Sequence, residues 1–521
     1  MATVDIARRA ALALLLLLPA GCGSTPDPTA GASSEPSLSV AADGSAAAGS
    51  PGASASASAA ASATPGKPAS CGLYAFDKPS TATLRSAKKK AFAYYFPPYP
   101  VSIDNKSASA DYWAKWRANG VPGVHQGDGV LDRPLTRSVR SGSDWRQQDF
   151  ATEVRQAIAI GLDGFIWEYH SVSSDARWTQ LPAMLAAAKS VDPGFRIMLS
   201  PDLQQGADTS PDQIVTDVLK VKDAANLYKV DGSIVLAPFY PERKPAAWWT
   251  GVRTTLAGQG VKTVLVPIFL SGSPATRSAE WNSAVYGYSL WGNRWVSGAD
   301  TDRVGAQQAH AAGRAYMAPI AFEDDRLYDG RYWESSGSGA LRAMMEKAIA
   351  GDADWVALIT WNDYTESWVA PSVERGYAVA DVMAYYTAWL KTGKRPGLVR
   401  DALYYFHRSQ KAAAAFTGTQ TVTMKVPYGD PAVDRVELLA YLAGAGRLVI
   451  RQGSQVSTKD VTAAGLVSFT AALVPGTTPV FELQRGGAVV QRVTSRTPIR
   501  TAVVHQDLMY HAGGGTACGG H

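Results

Sequence analysis

The sequence predicts an α/β fold, a (β/α)8 TIM barrel followed by a small antiparallel β-sandwich domain. The chain has 521 residues, enough for a large core and for more than one domain. From residue 91 onward, short apolar runs alternate with segments of helical period and form eight strand–helix units. After about residue 394 the helical segments stop, and short alternating runs separated by turn residues follow.

The eight barrel strands are expected where apolar, β-branched or aromatic residues cluster over four to eight positions. They span residues 91–96, 164–169, 196–200, 233–239, 263–270, 284–289, 315–320 and 355–361. Helical patterns lie between most of them, at 145–160, 181–190, 211–225, 248–259, 301–312 and 338–350, and a helix at 379–390 ends the unit. An open doubly wound sheet is the alternative, but no Gly-rich phosphate loop follows any of these strands.

The remaining runs belong to the expected β-sandwich. They span residues 403–407, 421–426, 435–442, 447–452, 466–473, 480–484 and 488–494. Turn pairs such as Pro475-Gly476 and Gly486-Gly487 separate them, and no long helical segment intervenes. The predicted organisation is a signal segment at 1–22, a tether at 23–70, a barrel at 71–395 and the sandwich at 396–521.

The first segments predict an extracellular protein. Arg8 and Arg9 precede an apolar stretch of signal-peptide length, and Pro19-Ala20-Gly21-Cys22 resembles a bacterial lipoprotein box in which Cys22 is lipidated. Plain secretion is the alternative. Residues 23–70 are almost wholly Ala, Ser, Gly, Pro and Thr, which cannot bury enough apolar surface to fold. We expect a surface lipoprotein whose only link to the membrane is the lipid.

Composition excludes several classes of function. The net charge of +5 is small for this length and no basic run suggests nucleic acid. No CxxC or HExxH spacing indicates a metal, and the seven His are scattered, so we expect no metal and no cofactor. With Cys22 assigned to lipid, Cys71 and Cys518 are predicted to pair in an oxidising compartment, with two unpaired thiols as the alternative. We expect a monomer.

The most informative stretch is Trp361-Asn362-Asp363-Tyr364-Thr365-Glu366-Ser367-Trp368, directly after the eighth strand. Asp363 and Glu366 are two carboxylates three positions apart among aromatic rings. Cleavage of a glycosidic bond needs one acid to protonate the leaving oxygen and a second carboxylate to activate water or attack directly. We therefore predict that Asp363 and Glu366 are the catalytic pair.

Other polar and aromatic residues follow the predicted strands at the same end of the barrel, where active sites of this fold lie. The expected substrate-binding residues are Tyr95, Glu168, Asp202, Trp291, Trp295, Glu323, Trp361, Asn362 and Tyr364. This is the composition of a carbohydrate cleft, although Tyr95 fits barrel packing equally well. The long connection at 97–144 is expected to form one wall, with Trp113, Trp116 and His125 facing the sugar. Asp163 precedes the second strand and is expected to bind backbone instead.

These residues resemble glycoside hydrolase family 71, the α-1,3-glucanases called mutanases. The stretch 361–367 is similar to that family's W-N-D-Y-G-E-S signature, with Thr365 where Gly is usual. Gly161-Leu162-Asp163-Gly164-Phe165 and Ser200-Pro201-Asp202 resemble its second and third strand elements, whereas Tyr94-Tyr95-Phe96-Pro97-Pro98 departs from its first. The resemblance implies an inverting endo-hydrolase of α-1,3-glucan that uses Asp363 and Glu366.

The spacing of the two carboxylates leaves the stereochemistry open. Inversion needs carboxyl groups about 6.5–9.5 Å apart and retention about 5–5.5 Å, and positions i and i+3 on a turn reach either separation. The acid is the group with the raised pKa, and we predict Glu366 as acid and Asp363 as base.

Two other functions remain open: a barrel glycosidase for another α-linked polysaccharide, such as mannan or a wall glycan, and a non-catalytic carbohydrate-binding lipoprotein. The presence of both carboxylates favours an enzyme. The sandwich shows few aromatics that look exposed, so support of the barrel is favoured over glycan binding.

Overall fold

The computed structural model describes residues 72–119, 130–170, 175–204, 209–418, 420 and 422–518. The predicted signal segment, the tether, Cys22, Cys71 and His125 lie outside these residues. Among the helices of the described part, none is both long and apolar enough to cross a bilayer.

The first part of the chain is a mixed α/β unit. Its strands are β1 Lys90–Tyr95, β2 Gly164–Tyr169, β3 Arg196–Pro201, β4 Lys229–Val230, β5 Ser233–Leu236, β6 Thr263–Leu265, β7 Ile268–Phe269, β8 Gly287–Leu290, β9 Ala315–Ile320, β10 Asp324–Arg326, β11 Arg331–Trp333, β12 Trp355–Leu358, β13 Asn362–Asp363 and β14 Ser367–Trp368. Its helices are α1 Thr81–Ser86, α2 Tyr112–Asn119, α3 Trp145–Ala159, α4 Ala176–Val191, α5 Pro211–Val221, α6 Ala246–Gly258, α7 Pro274–Trp281, α8 Asp300–Ala311, α9 Gly339–Ala350 and α10 Ala378–Thr392.

A curled, mainly parallel sheet organises this unit. The strands pair in the order β5, β3, β2, β1, β12, β9, β8 and β7. At one end of this order, β4 pairs antiparallel with β5, and β6 pairs parallel with β5. Only Val266 and Pro267 separate β6 from β7. Proline has no N–H to donate to a ladder, which accounts for the short break between them.

The two faces of the sheet carry different side chains, as the period of two along a strand requires. On β1, Phe92 and Tyr94 point into an inner apolar cluster with Ile166 and Met198. Tyr95 points the other way, into the larger cluster between strands and helices. The inner cluster therefore fills the concave side of the sheet and the helices cover the convex side.

The chain becomes all-β after α10. Its strands are β15 Ala402–His407, β16 Arg435–Leu442, β17 Gly446–Gln452, β18 Gln455–Val461, β19 Gly465–Ala472, β20 Val480–Arg485, β21 Ala488–Thr494 and β22 His511–Thr516. They form two four-stranded antiparallel sheets, ordered β19-β16-β15-β22 and β18-β17-β20-β21. Side chains of both sheets, including Leu438 and Phe481, share one apolar cluster.

Most expected elements are present within a few residues of their predicted bounds, and the exceptions have physical causes. The strand expected at 421–426 was wrong: its described residues make one isolated bridge, Arg331 with Lys425, because this segment crosses to the β10–β11 hairpin. Strand β18 is largely exposed and polar, and β22 carries three consecutive glycines, so neither has a strand-like pattern. Helices α1, α2 and α7 were also missed.

Candidate active site

The stretch with the two carboxylates forms a tight hairpin directly after β12. Asp363 lies opposite Ser367 in the antiparallel pair β13–β14. Thr360 and Ser367 close the base of the hairpin, since Thr360 Oγ1 donates to the Ser367 carbonyl at 2.6 Å and Ser367 Oγ donates to the Ile359 carbonyl at 2.7 Å. The hairpin places Asp363 and Glu366 at the carboxyl end of the parallel strands.

Asp363 is buried, and the groups that donate hydrogen bonds to its carboxylate are neutral. Its Oδ1 accepts a hydrogen bond of 2.7 Å from the Thr365 hydroxyl and one of 3.2 Å from the Thr365 amide. Burial, together with the nearby negative charge of Glu366, raises the pKa of Asp363 well above its usual value. No ion pair to Asp363 is present among the described residues.

Glu366 is held by a cation and a phenol. Its Oε2 lies 3.0 Å from Nη2 of Arg326, and its Oε1 accepts a hydrogen bond of 2.7 Å from Tyr328. The Asp325 amide donates to the Glu366 carbonyl at 2.8 Å, so the two hairpins are joined through backbone as well. Burial raises the pKa of Glu366, and Arg326 and Tyr328 oppose this rise.

Arg326 belongs to a chain of alternating charges. Its Nε and Nη2 each lie 2.8 Å from an oxygen of Asp324, and Oδ2 of Asp324 also lies 3.3 Å from Arg294 Nε. Arg294 in turn donates to the Trp291 carbonyl at 2.6 Å. Because two nitrogen atoms of the Arg326 guanidinium bind Asp324, the guanidinium keeps its direction toward Glu366.

Asn362 ties the catalytic hairpin to the segment after β1. Its amide nitrogen donates to the carbonyls of Phe96 and Tyr99 at 3.0 and 2.8 Å, and its Oδ1 accepts from the Phe96 amide at 2.8 Å. Tyr99 OH lies 3.3 Å from the Thr365 hydroxyl. Both amide hydrogens of Asn362 are used and the side chain is fully buried, so Asn362 is a positioning residue.

A second polar cluster lies at the ends of β2 and β3. His170 Nε2 is 3.5 Å from Glu168 Oε1 and 3.3 Å from Asp202 Oδ2, and His170 Nδ1 is 3.0 Å from Asp175. Arg177 Nε lies 3.0 Å from the other oxygen of Glu168. Although burial lowers the pKa of His170, the surrounding carboxylates raise it to about 11.

The ligand atoms of Glu168, His170 and Asp202 lie within 4.8 Å of one another, a separation at which such a trio can hold a metal ion. An imidazolium and a guanidinium already stand among these carboxylates. This charge balance favours hydrogen bonding to a polar ligand, because a metal would have to displace the proton of His170.

Trp291 and Trp295 lie in the loop after β8 and are both half-buried. The Trp291 ring packs at 5.1 Å from Tyr94 and 4.7 Å from Phe239, so it covers the carboxyl end of the inner cluster. Trp295 instead packs against Tyr428, from the all-β part of the chain, at 5.3 Å. Part of each indole remains accessible to solvent.

Several residues predicted to bind substrate are placed elsewhere by their contacts. Tyr95 and Trp361 are fully buried on the helix side of the sheet, where both donate to the carboxyl of Glu153, at 2.8 and 3.2 Å. Tyr364 is buried against Trp113 and Trp368. Trp113 and Trp116 belong to the same buried cluster, so these aromatics of the 97–144 connection are core residues.

Glu323 is likewise structural. One oxygen pairs with the buried Arg375, and the other accepts from the Tyr510 amide at 3.0 Å. Asp163 follows the prediction, since its carboxylate accepts from the Ala91 amide at 2.8 Å and pairs with Lys391 at 2.6 Å.

Sequence reasoning missed Arg326, Tyr328 and Arg177. Arg326 and Tyr328 lie in Asp324-Asp325-Arg326-Leu327-Tyr328, in the segment that follows the seventh predicted strand, and that position was the available signal.

A pair of buried, mutually repelling carboxyl groups at the ends of parallel strands, beside aromatic and charged side chains, is the arrangement of a glycoside hydrolase. The chain belongs to family 71 of the glycosyl hydrolases, whose sequence pattern it matches over residues 138–512.

Two fungal proteins are similar to this chain over most of its length. The glucan endo-1,3-alpha-glucosidase agn1 of Schizosaccharomyces pombe is 24% identical over 376 residues, 67% of this chain and 85% of the relative. A mutanase of Penicillium rubens is 22% identical over 396 residues, 71% of this chain and 85% of the relative. Among solved structures, the GH99 endo-alpha-mannosidase of Bacteroides thetaiotaomicron superposes with a TM-score of 0.45 and 12% identity over 58% of this chain and 97% of its own.

Proposed function

We propose that this glycoside hydrolase cleaves α-1,3-glucan by an inverting mechanism, with Asp363 and Glu366 as its acid and base. The observation that carries the proposal is the placement of these two buried carboxyl groups on one hairpin, in a chain of family 71. The relatives' activities toward 1,3-α-glucan support the choice of substrate.

Two carboxyl groups that repel each other in a buried site do not both ionise at neutral pH, and one of them keeps a proton. That proton is transferred to the glycosidic oxygen as its bond to the anomeric carbon breaks. The ionised partner accepts a proton from the water that attacks the opposite side of the same carbon. No cofactor enters this scheme.

The surroundings of the pair favour one division of roles. Arg326 and Tyr328 stabilise Glu366 as a carboxylate, whereas Asp363 has only neutral donors beside it. In the free protein this puts the proton on Asp363 and makes Glu366 the base. The division is the reverse of that expected from the sequence.

Sugar contacts are proposed for Glu168, Asp202, Trp291 and Trp295. The imidazolium of His170 and its carboxylates offer charged donors and acceptors to hydroxyl groups, and the half-buried indoles offer faces to a pyranose. The other predicted substrate-binding residues are buried and hold the site in place through packing and hydrogen bonds. They are Tyr95, Trp361, Tyr364, Asn362 and Glu323.

We also propose that the first sheet is a closed (β/α)8 barrel. The pairing of β6 with β5 and of β7 with β8, across a break of two residues, supports closure. The apolar cluster common to the two last sheets supports a β-sandwich.

The extracellular location and lipid anchor at Cys22 remain proposals from the sequence, as does the monomeric state. Cys518 is disulfide-bonded, and the Thr516 hydroxyl donates to the Gly72 carbonyl at 2.8 Å. This contact supports a pairing of Cys518 with Cys71, whose side chain lies outside the described part of the chain.

The test is release of reducing ends from insoluble α-1,3-glucan by the full chain and by Asp363→Asn and Glu366→Gln. We expect each substitution to lower kcat by at least about a thousandfold, as removal of an acid or base group does. Asp460→Asn is the matched control, since Asp460 is an exposed residue of the all-β part and pairs there with Arg447.

Full activity of both site variants would refute the pair. A wild-type chain that binds glucan at every pH but releases no reducing ends would favour the alternative of a carbohydrate-binding module. Release from another α-linked polysaccharide, and not from α-1,3-glucan, would correct the substrate alone.

A further inference from the structure

Tyr428 exposes an aromatic ring next to the charged hairpin that holds Glu366. The residue is 61% exposed, yet its ring contacts two indoles, Trp295 at 5.3 Å and Trp333 at 5.6 Å. Both contacts are edge-on, with interplanar angles of 85° and 72°. We call Trp295, Trp333 and Tyr428 the aromatic platform. Both indoles contact the tyrosine, and most of its surface still faces solvent.

The loop that carries Tyr428 is fixed on the first part of the chain. A Cβ at Gly429 would lie 2.7 Å from Cδ2 of Trp295, and Gly429 has φ of +100°, so only glycine lets the indole pack directly beneath the loop. Asp430 Oδ2 accepts a hydrogen bond of 3.0 Å from the Ser297 amide. The ring is therefore positioned before any ligand arrives, which lowers the entropy cost of binding.

The segment leading to this loop is also attached to the hairpin β10–β11. The Tyr332 amide donates to the Lys425 carbonyl at 3.2 Å, and the Lys425 amide donates to the Gly330 carbonyl at 2.9 Å. Met424 and Tyr332 belong to one apolar cluster. The hairpin that supplies Arg326 and the loop that supplies Tyr428 thus form one structural unit.

Arg326 connects the platform with the carboxyl pair. Its guanidinium carbon lies 5.1 Å from the Trp333 ring centroid, and its Nη2 lies 3.0 Å from Glu366. Arg326 therefore contacts both an indole of the platform and a carboxyl group of the reacting pair.

We propose that the aromatic platform is a glucosyl-binding subsite, in which the exposed ring of Tyr428 stacks on a sugar ring of the glucan chain beyond the bond that is cleaved and Trp295 contacts the edge of that sugar. The C–H faces of a pyranose suit an aromatic surface, and guanidinium groups at the edge suit its hydroxyls. This inference rests on the proposed function and gives the all-β part of the chain a direct role in holding substrate.

The test compares the full chain with Tyr428→Ala and Tyr428→Phe. Binding of a longer α-1,3-gluco-oligosaccharide is followed by the fluorescence of the indoles, and KM and kcat are measured on the shortest and the longest soluble oligosaccharides that the wild type cleaves. Val490→Ala removes another exposed apolar side chain of the all-β part and serves as the matched control.

We expect Tyr428→Ala to weaken binding and raise KM for the longer oligosaccharide by about three- to tenfold, as loss of one aromatic contact does, with kcat on the shortest substrate unchanged. Tyr428→Phe and Val490→Ala should behave as wild type, with unchanged Tm in every variant. Wild-type affinity and KM in Tyr428→Ala would overturn the subsite.

The outcomes separate the two proposals. Binding that depends on Tyr428, without release of reducing ends, would retain the subsite and reject the catalytic pair. Cleavage that ignores Tyr428 would retain the pair and reject the subsite. A wild-type chain that neither binds nor cleaves α-1,3-glucan would reject both.

Discussion

Nη2 of Arg326 lies 3.0 Å from Oε2 of Glu366, and the same guanidinium pairs with Asp324 through two bonds of 2.8 Å. This contact lowers the pKa of Glu366 against the effect of burial. Without it the carboxylate would be ionised only at higher pH. The acidity of the base in the proposed mechanism is therefore controlled by a residue from another hairpin.

Arg326→Gln is expected to shift the acidic limb of the kcat/KM profile upward by at least about one pH unit, because a lost charge partner within hydrogen-bond distance is worth one to three units. The pH–rate profile of the purified variant measures this shift. Arg326→Lys keeps the charge and should shift the limb less. An acidic limb identical to wild type in Arg326→Gln would contradict the assignment of Glu366 as the base.

The leaving group of the substrate distinguishes acid from base. An activated aryl glycoside needs little protonation as it leaves, so a variant of the acid keeps activity on it and a variant of the base does not. From the surroundings of the pair, Asp363→Asn should keep at least about a hundredth of wild-type kcat on such a substrate, and Glu366→Gln should lose it. The opposite pattern would restore Glu366 as the acid.

Thr365 occupies a position where the family usually has glycine, and its hydroxyl donates to Asp363 at 2.7 Å. This hydrogen bond favours the ionised form and lowers the pKa of Asp363, so its removal raises that pKa. In Thr365→Gly the basic limb of the pH–rate profile should move upward by up to about one unit, the size of one hydrogen bond. Tyr99→Phe, which leaves the Thr365 hydroxyl in place, is the control; a basic limb that moves down in Thr365→Gly would reverse the sign argued here.

Glu153 predicts a pH dependence of stability. Burial raises its pKa from 4.5 to about 8, although Tyr95 and Trp361 donate to it. The folded chain holds this proton between pH 4.5 and 8 and the unfolded chain does not, so the contribution to stability is complete below 4.5 and is lost as pH rises through 8.

Glu153→Gln cannot ionise, so its free energy of unfolding should fall less than that of the wild type between pH 5 and 8, by up to about 4 kcal/mol. Denaturant titrations at several pH values measure the difference, provided that unfolding is reversible. Parallel pH profiles of the two proteins would mean that the Glu153 carboxyl is ionised in the folded state.

Arg375 is buried between Trp368 and Phe322, pairs with Glu323 and donates to the Tyr510 carbonyl at 3.2 Å. Arg375→Met keeps much of the apolar contact but leaves Glu323 buried without its cation. Loss of one partner of a buried ion pair costs about 3–5 kcal/mol, which thermal unfolding would detect. The double variant Arg375→Met/Glu323→Gln should recover part of the loss; equal Tm values for the single variant and the wild type would refute the role.

Local patterns were sufficient for most of the strands and for the reacting pair. The strand at 315–320 and those at 435–442 and 488–494 have the predicted bounds, because their side chains follow the period of two or form a continuous apolar run. Asp363 and Glu366 share one short hairpin, so the sequence alone places them together.

The partners of the pair could not be predicted in the same way. Arg326 reaches Glu366 from a hairpin 40 positions earlier. Tyr428, which packs against Trp295, comes from a part of the chain for which support of the barrel was favoured over glycan binding. The side on which an aromatic residue lies is equally a property of packing. Tyr95 and Trp361 stand at strand ends as expected for a cleft, but the pleat directs both toward the helices.

Glu323 and Glu334 contact residues much later in the chain, so the hairpin between them can reach its final structure only late in translation. Glu323 accepts from the Tyr510 amide, and Glu334 pairs with Arg408 at 2.8 Å and accepts from Tyr510 OH at 2.6 Å. These residues flank the hairpin that carries Arg326. A ribosome must therefore translate the chain at least as far as Tyr510 before that hairpin is locked, and a nascent chain released before this point would carry both carboxylates without the contacts of Tyr510.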